Sequence, residues 1–118
     1  LGRLFWRFGC LHQFHVLEDS IVIFDNDGGL STSRAIEFSM VDGAVEWEDT
    51  WSYTPDPSIY TFVLGDVHRF DDGDTQITWS VSGQIDRVTS AGEVKWQLNT
   101  ALGYAFGFNT VQSTPYAQ

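Results

Sequence analysis

His12 and Arg34 are the two side chains of this 118-residue chain with the most chemistry to offer. An imidazole serves as nucleophile or base, and a guanidinium clamps an anion with a planar fork of N–H donors. The plainer alternative is that His12 caps a strand and Arg34 pairs with one of the many carboxylates. What singles them out is a comparison within the chain. Ser33–Trp47 (SRAIEFSMVDGAVEW) and Ser82–Trp96 (SGQIDRVTSAGEVKW) align without a gap, and extending that alignment sets His12 opposite Gly65 and Arg34 opposite Gly83. His15 and His68 occupy matching positions in both copies and read as structural. Asp25-Asn26-Asp27-Gly28-Gly29 has the look of a calcium loop but lacks the later Glu of a loop of about 12 residues. It reads as a turn or a site-lining loop, and no metal or cofactor is assigned.

The elements that must position these residues follow from the repeat. Gly43-x-Val45-x-Trp47 and Gly92-x-Val94-x-Trp96 share a pattern with the degenerate Gly2, Leu4, Trp6. The tryptophans lie 41 and 49 residues apart, within the roughly 40 to 50 of one four-stranded propeller blade. Alternating apolar residues between turns predict strands near 13–17, 20–25, 34–40 and 44–49, then 62–70, 75–81, 84–88 and 93–98. Residues 1–8 and 103–109 read as strands of neighbouring blades. The expected fold is all-β: blades of four antiparallel strands at about 13–49 and 62–98, the C-terminal portion of one propeller spanning 1–118. Trp47 and Trp96 are expected at equivalent outer-strand positions, packed between sheets. Blade topology gathers residues 7–13, 25–34, 49–61, 80–83 and 98–104 at one end, where long irregular connections carry function over a rigid base. Asn26, Tyr60 and Tyr104 join His12 and Arg34 there as candidate substrate-binding residues, the two tyrosines as platforms for aromatic rings.

Composition agrees. Aromatic residues reach 15%, and 11 glycines suit strands divided by tight turns. A net charge of −10 with six scattered Lys and Arg excludes a nucleic-acid partner, whose phosphates demand clustered cations. No run approaches the roughly 20 apolar residues of a membrane helix. Cys10 is the single cysteine, so no internal disulfide forms. A start at Leu1, without Met and inside a strand-like run, reads as a chain whose natural N-terminus lies upstream. Two whole blades leave open sheet edges, which the rest of the propeller or self-association would cover.

The runs His12-Gln13-Phe14, Val22-Ile23-Phe24-Asp25-Asn26, Ser33-Arg34-Ala35-Ile36-Glu37-Phe38, Val45-Glu46-Trp47 and Leu64-Gly65-Asp66-Val67-His68-Arg69-Phe70 together resemble the C-terminal half of the bacterial arylsulfotransferases, which are like propellers of the PQQ-dehydrogenase type. The resemblance implies sulfuryl transfer from an aryl sulfate to a phenol without a nucleotide donor, through a sulfated histidine that falls on His12. It implies Arg34 as a sulfate ligand and a periplasmic or extracellular location. The sequence departs from the pattern in the short segment before His12 and in Gln13, where an Asp is usual; further family histidines would lie in blades absent here. A non-catalytic propeller serving as scaffold or binding module is the competing reading.

Overall fold

The computed structural model describes residues 11–27 and 31–100. Strands β1 (Leu11–Val16), β2 (Ser20–Asp25), β3 (Arg34–Val41) and β4 (Ala44–Tyr53) form one antiparallel sheet in chain order. Strands β5 (Asp66–Arg69), β6 (Thr75–Trp79), β7 (Gln84–Val88) and β8 (Val94–Asn99) form a second, with a 3-10 turn at Ser80–Ser82 between β6 and β7. The eight strands match those expected, except that β1 starts at Leu11, β4 runs on to Tyr53, β5 starts only at Asp66 and β6 ends at Trp79. The expected strands at 1–8 and 103–109 lie outside the described residues.

Local chemistry sets the turns. Asp42 and Gly43 both have positive φ, 53° and 76°, the two-residue turn whose twist matches that of the flanking strands. Asp71-Asp72-Gly73 and Ser90-Ala91-Gly92 instead form three-residue turns. In each, the glycine N–H donates three residues back, to Phe70 O and Thr89 O, and the glycine adopts the left-handed conformation.

Side chains on facing sides of the two sheets form one core. Val22, Phe24 and Ala35 meet Val67, Ile77, Trp79 and Val88, with Leu17, Trp51, Tyr53 and Ile59 packed around them. On its other face the first sheet holds a second cluster of Ile23, Ile36 and Phe38, joined by Ile21, Val45 and Trp47. β5 packs against β1 and β2, so the first strand of one sheet lies beside the first strand of the other. His15 and His68 stack there, ring centroids 4.6 Å apart and 16° from parallel, and the Arg69 N–H donates to His15 Nδ1 at 2.9 Å. Their matching sequence positions thus reflect architecture.

Register corrects the expected pairing of tryptophans. In the first sheet a row of partners runs His15, Val22, Glu37, Trp51; in the second it runs His68, Gln76, Arg87, Trp96. Starting from the stacked histidines, the counterpart of Trp96 is therefore Trp51. Trp47 sits instead where β4 slips against β3, edge-on to Phe38 at 5.4 Å. Trp51 packs toward the second sheet, under the Arg69 guanidinium at 5.0 Å, and donates its indole N–H to Ser90 O. Trp96 is 42% exposed. The same rows place Gln84, and not Gly83, in the position of Arg34. The ungapped alignment was misled because the β3–β4 hairpin runs on to Val41 and Ala44 and carries the irregular pairing of β4, whereas the β7–β8 ladder ends at Val88 and Val94.

Gly65 is the point of closest backbone approach. Its φ is 117°, and a methyl group there would overlap the Phe24 ring. Gly73 also has positive φ, 91°, but faces open space. Gly65→Ala should therefore cost several kcal/mol, combining backbone strain with overpacking of about 1–3 kcal/mol, whereas Gly73→Ala should cost only about 1 kcal/mol. Urea titrations of both variants measure the difference, and equal losses would contradict the packing of the linker on Phe24.

Candidate functional site

The sequence places Asp25 at the end of β2 and Arg34 at the start of β3, and antiparallel pairing sets them opposite each other, with Leu11 opposite Asp25 on the other side. Arg34 Nε donates to Asp25 Oδ2 at 3.0 Å. Asp25 is fully buried. Burial pushes its carboxyl above the ordinary 3.8, while the Arg34 hydrogen bond and charge, and then the Asp27 N–H, pull it back down. The pair fixes the guanidinium at the end of the sheet, since a buried carboxylate left without its cation is costly. The sequence reading offered pairing of Arg34 with a carboxylate as the plainer alternative and named Asp25 in a turn or site-lining loop, but did not pair the two. The signal was available: Asp and Arg at facing ends of two strands that flank one connection are cross-strand neighbours.

β1 leaves regular register between Leu11 and Phe14, the interval that contains His12. The backbone of His12 thus belongs to the same strand end as Asp25 and Arg34; its side chain falls outside the described residues. Tyr104 lies wholly outside them. Tyr60 is 45% exposed on the linker between the sheets.

Asn26 is 1% exposed and does architectural work. Its Nδ2 donates to Thr61 O at 2.8 Å and to Leu64 O at 2.6 Å. The second bond helps to hold Leu64 at φ 63°, a left-handed conformation that costs a non-glycine residue about 1 kcal/mol or more. Ser33 completes the clamp, donating Oγ–H to Asn26 O and accepting the Thr61 N–H. Asn26 and Ser33 thus tie the linker across the end of the first sheet, behind the Asp25–Arg34 pair.

No group of three or more His, Cys, Asp or Glu able to hold a metal occurs among the described residues, and no helix there is long and apolar enough to cross a membrane.

The stacked histidines carry the clearest pH dependence. Desolvation lowers the pKa of His68 from 6.5, the neighbouring His15 lowers it further, and Asp66 and Asp71 oppose the shift. The fold thus favours neutral His68. On acidification below about 6.5 the unfolded chain takes up this proton before the folded one, so stability is lost as pH falls through that window. Thermal melts should show this loss, and His68→Gln should flatten it; an unchanged slope in the variant would contradict it.

No family model matches the chain, and neither a curated protein nor a solved structure matches it.

Proposed function

We propose that the two sheets are consecutive blades of a β-propeller, and that the strand end carrying His12, Asp25 and Arg34 is the sulfuryl-transfer site of an arylsulfotransferase-like enzyme. The propeller reading is supported by the repeated order of four strands, by the face-to-face core and by the matched histidines of the two first strands. The observation that carries the site is the buried Asp25 holding Arg34 beside the irregular segment of β1 that contains His12.

In this reading a neutral His12 imidazole attacks the sulfur of an aryl sulfate. The new N–S bond forms as the S–O bond to the aryl group breaks, and the phenolate leaves with the electron pair. A second phenolate then attacks the same sulfur, forming the product S–O bond and returning the N–S pair to the imidazole. Charge is spread over three sulfuryl oxygens throughout, so positioning and cationic donors dominate the barrier. Asp25 takes the Nε edge of Arg34, and the guanidinium's positive charge at this strand end would face the sulfuryl oxygens. Donor and acceptor are an aryl sulfate and a phenol, with Tyr60 at the exposed rim as a stacking surface.

A non-catalytic scaffold is the second reading. It is favoured by Asn26, which spends its amide on the linker. A chromogenic aryl sulfate with a phenol acceptor, supplied to the chain within its complete propeller, separates the two: phenol-dependent release of the chromophore supports the enzyme. Absence of release supports the scaffold.

A further inference from the structure

Three buried carboxylates occur among the described residues: Asp25, Asp74 and Asp86. Asp25 has Arg34, and Asp74 has Arg87 and Lys95. Among the described residues Asp86 accepts only from neutral groups: the Trp79 indole N–H at 2.9 Å, Gln84 Nε2 at 3.0 and 3.1 Å, and Gln97 Nε2 at 2.9 Å. It is hydrogen-bonded but not neutralised. It also borders a solvent-open cavity of about 280 Å³, whose other walls are Tyr53, the linker residues 55–59, and Gln84, Val94 and Gln97 of the second sheet. No Lys or Arg among the described residues lines that cavity.

An uncompensated buried charge attracts a cation far more strongly than the same charge in water. The two glutamines turn their N–H groups to Asp86; Gln97 Oε1 accepts from Asn99 Nδ2 at 3.0 Å, so Gln84 Oε1 is the amide oxygen left for the cavity. With Asp56 and Ser58, the lining is rich in acceptors. Pro55, Pro57, Ile59, Val94 and the Tyr53 ring supply apolar surface, and an aromatic face adds cation–π attraction. Burial, and then the Asp86 charge, push the Tyr53 hydroxyl above 10.0, as a negative field at this place requires. A divalent metal would want more carboxylates than the cavity offers.

We propose that this cavity binds a small organic ammonium ion, its charge set against Asp86 and its apolar body against Tyr53 and the linker prolines. Titration of the full chain with benzylamine, benzyl alcohol and benzoate, followed by amide NMR, tests this. Benzylamine should shift the signals of Tyr53, Ile59 and Gln97 and bind at least about tenfold more tightly than benzyl alcohol, with no binding of benzoate. Val94→Trp, at a position 46% exposed, should fill the cavity, keep the strand spectrum and lose the amine; Ser58→Trp on the exposed linker serves if that variant fails to fold. No binding of benzylamine, equal binding of amine and alcohol, or binding undiminished by the cavity-filling variant overturns the proposal.

Discussion

On the proposed reading, His12→Ala in a complete propeller should take sulfuryl transfer down on the order of a thousandfold or more while the chain stays folded. Removing the atom that bonds to sulfur eliminates the two-step route, and what remains is binding and positioning alone. The position falls where β1 leaves regular pairing, so an alanine there disturbs little of the ladder. Arg34→Lys keeps the charge but loses the planar guanidinium that grips Asp25 through Nε and, on the proposed reading, meets the sulfuryl oxygens. Its loss should appear chiefly in kcat, by about ten- to a hundredfold, because the charge it stabilises grows in the transition state. Steady-state kinetics with a chromogenic donor measure both effects. Full activity in His12→Ala would remove the residue from the reaction.

Trp79→Ala should destabilise the fold by about 3–5 kcal/mol for the lost side chain and its cavity. Trp79 is fully buried, meets Phe24 edge-on at 5.6 Å and lies 6.3 Å from Tyr53. Its indole N–H also bonds buried Asp86, and losing that donor adds about 1–3 kcal/mol. Set against a typical total of about 5–15 kcal/mol, the variant stands near the edge of folding. Trp96→Ala, at a half-exposed position, should cost far less. Urea denaturation followed by circular dichroism distinguishes them, and equal losses would mean that Trp79 is not the centre of the core.

The strands were legible because they obey simple local rules. β2 and β3 alternate or run apolar between Asp/Gly turns, and His15 and His68 announce equivalent positions. The register of the outer strands was not. Trp47 and Trp96 end identical-looking segments, yet a two-residue turn at Asp42-Gly43, a three-residue turn at Ser90-Gly92 and the slip in β4 make Trp51 the true counterpart. A bulge leaves no periodic signature in a single chain, and a one-residue slip changes which face a side chain joins. The candidate site was legible in part. Arg34 stood out by comparison with the second copy, although its counterpart is Gln84. Asp25 was read correctly as the last residue of its strand, but it was not matched to Arg34 at the start of the next. Asn26 was placed with the site because blade topology gathers residues 25–34 at one end, whereas the linker at Thr61 and Leu64 folds back over it. The cavity at Asp86 was invisible because the aperiodic linker 55–59 forms one of its walls.

The most direct test of sulfuryl transfer is to pulse the chain, in its complete propeller, with an aryl sulfate in the absence of acceptor, quench it, digest it and locate the label by mass spectrometry. A sulfuryl adduct on the peptide containing His12, lost on chasing with a phenol and absent from His12→Ala, is the result predicted. An adduct on another residue, or transfer with no adduct at any time, would contradict it.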